Sequence, residues 1–370
     1  MRIPSTLKNL LSLPTAPFVE AAMMKYIATA CRRRSGVTAR FDRHGNLLAH
    51  YRHQPRTSVP LAFVAHTDHP GFIALEMVDR RTLRAAFRGG VKPEYFPGTR
   101  VRFWSRGQWV KARVLKLSKA TRVTDVVGWM WKPEEALLRV AQPVEAQSPG
   151  MWDLPEPTLK GDLVAARGCD DIAGCAAMLT LLQRLSQKRS RAEVYCLFTR
   201  AEEVGFVGAI AAARVRTIPR RVPVISVETS SVLPNALQGA GPILRVGDRA
   251  AVFSPGLSAF CDRVARTLAQ RRKSFIYQRK LMDGGICEAV PFLAYGHEAT
   301  GVCVALGNYH NMDKRREKIA SETISLTDWR CMVDLFEALV LDEGERGLDW
   351  QPMRQRLDAR FAQWAPLLGG

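Results

Sequence analysis

Acidic and imidazole side chains in this 370-residue chain occur where short apolar runs end or begin. Seven of them share this placement: His66, Asp68, Asp170, Glu202, Glu203, Glu228 and His310. The carboxyl ends of strands in an open α/β sheet line one crevice, so we expect these side chains to lie close together. Imidazole nitrogens and carboxylate oxygens, without thiolates, are ligands for divalent metal ions. The sequence therefore predicts a metal site at one edge of a sheet.

The number of donors points to more than one ion. Two histidines and three carboxylates exceed what one tetrahedral Zn²⁺ needs, and they suit two ions about 3.5–4 Å apart, bridged by a carboxylate and a water. Zn²⁺, Co²⁺, Mn²⁺ and Ni²⁺ all suit this donor set. Glu202 and Glu203 are adjacent, so on an extended backbone they would point in opposite directions. One glutamate could then bind metal while the other acts as a general base. Metal ions and a general base together can hydrolyse an amide bond.

Each candidate also has a purely structural interpretation. Asp170 and Asp171 precede an apolar helical segment and could cap it. Glu202 and Glu203 could form the first turn of a helix, and Asp68 could orient His66 rather than bind metal. A single histidine at a strand end is more often a hydrogen-bonded polar residue than a ligand. The joint placement favours the metal site, because independent structural causes would not put every candidate at a strand end.

The elements that must position these residues alternate between strands and helices. This alternation predicts an α/β fold with a mixed, mostly parallel sheet flanked by helices. Residues 72–160 differ, because short β-like runs are separated by Gly, Pro and charge, and they predict a small inserted β-barrel or sandwich. We expect a catalytic domain of 1–71 plus 161–342, with 151–162 as a return linker. Residues 343–370 are predicted to form a helical extension, with Trp350, Leu357, Phe361 and Trp364 as packing residues.

Composition and charge limit the partners. The chain has 54 Lys+Arg against 35 Asp+Glu, a formal charge of +19, but the basic residues are dispersed and no nucleic-acid-binding signature occurs. We therefore expect no nucleic-acid partner, and we hypothesise that the charge favours acidic peptides. The eight cysteines form no Cys-x-x-Cys pair, which indicates a reducing compartment. The sequence shows neither a membrane-spanning apolar run nor a signal-peptide core, so it predicts a cytoplasmic protein without a membrane partner.

Several segments together match the motif order and spacing of a known family. They are VAHTDHPGFIA (64–74), ARGCDDIAGC (166–175), FTRAEEVGFVGA (198–209), VISVETS (224–230), GPILRVGDRA (241–250), DGGICEA (283–289) and GVCVALGNYHNM (301–312). With the β-rich insertion after the first histidine, the chain resembles the tetrahedral aminopeptidase and glutamyl aminopeptidase family of di-zinc metallopeptidases. This family belongs to the broader co-catalytic zinc exopeptidases, and the resemblance covers about residues 5–341.

The resemblance implies a ligand set and a reaction. His66, Asp170 and Glu228 would surround one metal ion, while Asp170, Glu203 and His310 would surround the other, with Asp170 bridging. Such enzymes remove N-terminal residues from peptides through a hydroxide that bridges two ions, most often Zn²⁺, with Co²⁺ or Mn²⁺ as alternatives. Their inserted β-domain helps to build homo-oligomers, often dodecamers.

The resemblance also implies that Glu202 is the general base and that Asp68 orients His66. The chain departs from the family at Glu228, where the family usually has Asp, at 284–289, where GGICEA replaces GGTDA, and at Asn311, where the family has Ser. Related di-metal folds also act as amidohydrolases or deacylases on N-acyl amino acids, which is the alternative activity. An inactive binding or scaffold protein is disfavoured, because all five ligands and the base are present.

Overall fold

The computed structural model of the chain describes residues 2–56, 59–125, 128–344, 346–347 and 350–368. The helices are α1 (Ser5–Ser12), α2 (Ala21–Arg32), α3 (Ile172–Lys188), α4 (Val207–Val215), α5 (Pro255–Arg271), α6 (Ala289–Ala294), α7 (Leu326–Leu341) and α8 (Gln351–Trp364). The strands are β1 (Val37–Phe41), β2 (Leu47–His53), β3 (Leu61–His66), β4 (Gly71–Met77), β5 (Thr82–Arg88), β6 (Arg100–Ser105), β7 (Gln108–Asp125), β8 (Gly128–Val140), β9 (Pro149–Trp152), β10 (Thr158–Lys160), β11 (Leu163–Ala166), β12 (Ala192–Thr199), β13 (Val224–Ser231), β14 (Ile243–Asp248), β15 (Gln278–Met282), β16 (Ala299–Gly307), β17 (Met312–Asp313), β18 (Lys318–Ile319) and β19 (Glu322–Ser325).

One large mixed sheet forms the centre of the fold. Its order is β1-β2-β12-β3-β13-β16-β19-β11-β10, with β14 and β15 attached beside β16. The four central strands β12, β3, β13 and β16 are parallel to one another. The strands on either side of them pair antiparallel, and so does β14 with β16, whereas β15 pairs parallel with β14. Every residue of β3 is buried, as expected for a continuous apolar run covered on both faces.

Helices cover both faces of this sheet. The first face packs against α1, α2, α3, α5 and α7 in one apolar cluster that includes Phe63, Leu182 and Phe336. The second face packs against α4 and α6, through Ala209, Ala212 and Phe292 among others. The mixed sheet between helix layers, together with the barrel described next, confirms the predicted α/β fold class.

The inserted β-rich unit is a closed barrel of six strands in the order β4-β5-β8-β7-β6-β9. Aromatic rings fill it, and Phe72 contacts Phe87 and Trp152 edge to face. The barrel leaves the sheet just after β3 and returns through β10. Residues 151–162, predicted to be the return linker, contain the end of β9 and all of β10, which lies at the edge of the large sheet and pairs with β11. The predicted domain boundaries stay predictions.

The C-terminal extension contains α8, but its packing prediction is wrong. Trp350, Leu357, Phe361 and Trp364 are each more than half exposed, at 60%, 56%, 65% and 53%. Apolar spacing identifies one face of a helix, but it does not say whether another element covers that face. Residues 345, 348–349 and 369–370 of the extension lie outside the described residues. Among the described helices, none is long and apolar enough to cross a membrane.

Candidate metal centre

Four neighbouring parallel strands bring the predicted site residues to one edge of the large sheet. His66 is the last residue of β3, and Glu228 lies in the C-terminal half of β13. Glu202 follows β12 after two residues, and His310 follows β16 after two residues. Because these four strands are adjacent and run in the same direction, their carboxyl ends open into the same crevice.

His66 faces three carboxylates. Its Nε2 lies 3.5 Å from Oδ1 of Asp170, 3.7 Å from Oε2 of Glu202 and 4.0 Å from Oε2 of Glu228. The ligand atoms of His66, Glu202 and Glu228 all lie within 4.8 Å of one another, which is close enough to surround one ion.

His310 faces the other side of Asp170. Its Nε2 lies 3.1 Å from Oε2 of Glu203 and 3.7 Å from Oδ2 of Asp170. Asp170, Glu203 and His310 form a second group whose ligand atoms lie within 4.8 Å of one another. Asp170 thus presents one oxygen towards each histidine, as a carboxylate shared between two ions would.

Both imidazole rings are held by a backbone carbonyl on the side away from the carboxylates. Nδ1 of His66 lies 3.1 Å from the carbonyl oxygen of Asp68, and Nδ1 of His310 lies 2.9 Å from that of Gly90. A ring that donates from Nδ1 leaves the lone pair of Nε2 free for a metal ion. Gly90 follows β5, so the barrel segment helps to orient one of the two histidines.

The donor set fits a pair of divalent cations. Oε1 of Glu203 and Oε1 of Glu228 are buried and have no hydrogen-bond partner among the described residues. A buried carboxylate oxygen without a partner is costly, and a cation would compensate it. Burial raises the pKa of Glu228 to about 8. Burial alone would lower the pKa of His310, but the charge and hydrogen bond of Glu203, together with the charge of Asp170 and the hydrogen bond to Gly90, outweigh it and raise that pKa to about 9.

The glutamate pair is not on an extended backbone, so that expectation was wrong. Glu202–Val204 is a single 3₁₀ turn, and the preceding Ala201 has a φ of 51°. The chain must turn sharply here to pass from β12 into α4. The two side chains still separate, because Glu202 lies with His66 and Glu203 lies with His310.

Asp68 has a different contact from the one expected. Its Oδ1 accepts a hydrogen bond from the backbone N–H of Glu202 at 3.0 Å, and its Oδ2 accepts one from that of Glu203 at 3.1 Å. The carboxylate comes no closer than 3.7 Å to Nδ1 of His66, whereas the Asp68 carbonyl oxygen is at 3.1 Å. The main-chain carbonyl of Asp68 therefore contacts the His66 ring, whereas its side chain contacts the glutamate turn.

The two adjacent aspartates have different roles. Asp171 caps α3, since its Oδ1 accepts a hydrogen bond from the backbone N–H of Gly174 at 3.1 Å. Asp170 instead faces the crevice, where its Oδ1 accepts a hydrogen bond from the hydroxyl of Thr229 at 3.0 Å. The capping interpretation of the sequence thus holds for Asp171 and not for Asp170.

Sequence reasoning missed several residues around the site. Glu322 accepts hydrogen bonds from the backbones of Asp170 and His310. His69 lies with Nδ1 2.8 Å from the carbonyl oxygen of Asp170. Arg245 lines the pocket beside Glu228 and is 3% exposed. No spacing rule links Glu322 or His69 to the candidate ligands. For Arg245 the sequence did offer a signal, because this charged residue lies inside the short apolar run ILRV (243–246).

Sequence comparison finds similarity to one family. The family model for the M42 glutamyl aminopeptidases matches residues 141–318. A curated protein of Acetivibrio thermocellus named "Putative aminopeptidase" is 26% identical over 254 residues, covering 66% of this chain and 72% of that protein. Over this part of its length, the chain is similar to the M42 aminopeptidases. M42 peptidases are metal-dependent hydrolases of peptide bonds, in agreement with the two candidate metal groups.

Solved structures share the fold of this chain. The TET1 peptidase of Pyrococcus horikoshii superposes with a TM-score of 0.73 at 19% identity, covering 91% of this chain and 98% of its own. An aminopeptidase of Desulfurococcus kamchatkensis superposes with a TM-score of 0.71 at 20% identity, covering 92% and 94%. At this level of identity, the likeness establishes the fold.

Proposed function

We propose that this protein is an M42 aminopeptidase, which removes N-terminal residues from peptides with a pair of divalent ions, Zn²⁺ in the first instance and Co²⁺ or Mn²⁺ as alternatives. The observation that supports this most strongly is the position of Asp170, whose two oxygens face His66 and His310 from between them. We assign His66, Asp170 and Glu228 to one ion. Asp170, Glu203 and His310 are assigned to the other.

We assign the general base to Glu202 rather than to Glu203. Glu202 lines the pocket next to the ligands, whereas Glu203 does not line it. Bound divalent ions would polarise the scissile carbonyl and increase the acidity of a water molecule. Glu202 accepts the proton of that water as it adds to the carbonyl carbon, and then gives the proton to the leaving amine. Asp68 holds Glu202 in place for both transfers through its hydrogen bonds to the turn.

A substrate panel separates this activity from the alternative one. The metal-loaded protein is assayed on amino-acid amides with a free amine and on N-acyl amino acids. Hydrolysis of the free-amine amides supports the aminopeptidase. Turnover of the acylated compounds alone would replace it with an amidohydrolase or deacylase acting through the same ligands.

We further propose that the chain forms a homo-oligomer. The TET1 peptidase of Pyrococcus horikoshii assembles into a tetrahedron or a large octahedral shell, and the barrel present here is the unit expected to build such contacts. Light scattering on the purified protein tests this assembly. A cytoplasmic location also remains a proposal, and it is supported by eight cysteines that are all free and buried.

A further inference from the structure

Glu322 connects the two loops that bring ligands to the metal centre. It is the first residue of β19, and its side chain is completely buried. Oε2 accepts hydrogen bonds from the backbone N–H groups of Cys169, at 2.6 Å, and Asp170, at 3.1 Å. Oε1 accepts one from the backbone N–H of His310, at 2.8 Å. One carboxylate therefore binds the loop before α3 and the loop after β16 at the same time.

The loop that carries His310 needs such a contact. Asn308, His310 and Asn311 have φ values of 54°, 54° and 65°, in the left-handed region that non-glycine residues rarely adopt. Conformations of this kind persist when the surrounding structure imposes them. The hydrogen bond from the His310 N–H to Glu322 is one of the contacts that hold this loop in its left-handed conformation.

Both oxygens of Glu322 serve as acceptors for its three backbone N–H donors. A carboxylate has acceptor sites on both oxygens and no donor, whereas a glutamine of the same shape turns an NH₂ group towards one of the loops. That NH₂ would meet a backbone N–H with no acceptor between them, and a buried donor without a partner is costly. The loop that lost its acceptor would move, together with its metal ligand.

We propose that Glu322 is a positioning residue for the metal centre. It sets the distance between Asp170 and His310, and thereby the affinity for the ion held by Asp170, Glu203 and His310. The inference rests on the proposed function, because it requires that this group binds an ion. Glu322 is completely buried and does not line the pocket, so it acts through the backbone of the two ligands.

A second link between the same loops indicates that a variant can still fold. His69 lies with Nδ1 2.8 Å from the carbonyl oxygen of Asp170, and its Nε2 lies 3.0 Å from Oδ1 of Asn311. The amide of Asn311 also donates to the carbonyl oxygens of Arg167, at 2.6 Å, and Ala320, at 3.0 Å. These bonds remain when Glu322 is changed.

The test is the Zn²⁺ affinity of the full-length Glu322→Gln variant, measured by competition with a chromophoric chelator, with circular dichroism as a check of folding. We expect one of the two ions to bind about 10–100-fold more weakly, as is typical when a group supporting a ligand is lost.

Asp328→Asn is the matched control. Asp328 is also a completely buried carboxylate, and it accepts hydrogen bonds from the backbone N–H groups of Gly239 and Gly241, both at 2.7 Å, in a loop that carries no candidate ligand. The Asp328→Asn substitution should leave the affinities for both Zn²⁺ ions unchanged.

Each outcome decides the inference. Wild-type affinity for both ions in Glu322→Gln, or an equal loss in Asp328→Asn, overturns the positioning role and leaves the proposed function intact. If Glu322→Gln yields no folded protein, Glu322→Asp is measured instead. Its shorter side chain must also weaken one ion, and unchanged affinity overturns the role. Absence of metal binding by the wild-type chain itself would reject the proposed function and the positioning role together.

Discussion

The side chain of Asp68 accepts a hydrogen bond from the backbone N–H of Glu202 at 3.0 Å. This contact joins the end of β3 to the turn after β12 and fixes the glutamate that we assign as the general base. Asp68→Asn should therefore lower kcat about 10–100-fold, while both metal ions stay bound. Steady-state kinetics combined with metal analysis of the variant measure the two effects. Loss of metal together with kcat would instead mean that Asp68 acts mainly on His66.

Glu202→Gln should keep the metal ions and lose most turnover. The amide has nearly the shape of the carboxylate but cannot accept the proton of the attacking water, and loss of a general base typically costs about 10²–10⁴-fold in rate. The matched control is Glu76→Gln on the barrel, because Glu76 is exposed and pairs only with Arg84 among the described residues. Since Glu202 also lies within ligand distance of His66, a variant that loses an ion would show that Glu202 is a ligand.

Arg245 should determine a preference for acidic N-terminal residues. It lines the pocket, is almost completely buried, and its Nε has no hydrogen-bond partner among the described residues. We expect kcat/KM to be higher for N-terminal Glu or Asp than for Leu. Arg245→Met should lower it for the acidic substrates by about 10–100-fold, the usual effect of losing a hydrogen bond to a charged group.

The Leu substrate is the internal control for this variant, since it makes no ionic contact. Asp248, near Arg245, keeps hydrogen bonds from the backbone N–H groups of Ala250, Ala251 and Cys287, so the substitution does not leave it without partners. Equal or lower wild-type rates on the acidic substrates would reject this preference.

Removal of metal should make stability fall as pH rises. The pKa of Glu228 is raised by burial from 4.5 to about 8, so the folded chain holds a proton that the unfolded chain releases, and stability is lost between these values. The pKa of His310 is raised from 6.5 to about 9, so its stabilising charge is complete below 6.5 and is lost as pH rises through 9. Between about pH 5 and pH 9, both groups therefore make the metal-free protein less stable as pH rises.

Thermal unfolding of chelated and Zn²⁺-loaded protein at about pH 6 and about pH 8.5 checks this dependence. Bound cations favour the ionised carboxylates, so the loaded protein should lose less Tm over this interval. The loaded form also controls for all other titrating groups of this basic chain. Equal changes in Tm for the two forms would contradict the expected effect of the site.

The sequence was sufficient to predict that the candidate ligands lie together, because apolar runs as short as 61–65 identify buried parallel strands and their ends share an edge. It was also sufficient for the barrel, whose strand runs lack helical spacing.

The sequence was not sufficient to predict the backbone of Glu202 and Glu203, since a 3₁₀ turn leaves no distinct pattern in two residues. The partners of Asp68 and Glu322 are backbone amides, which every residue has, so no residue type indicates them. The exposure of α8 depends on a covering surface that its own spacing does not specify.

The central claim is that His66, Asp170, Glu203, Glu228 and His310 hold two ions that the reaction requires. Metal analysis of the purified full-length protein, together with hydrolysis of amino-acid amides before and after chelation, tests it most directly. The account predicts two divalent ions per chain, loss of hydrolysis on chelation, and recovery when Zn²⁺, Co²⁺ or Mn²⁺ is returned. A chain that hydrolyses these amides with no bound metal, or that binds none at saturating Zn²⁺, would contradict it.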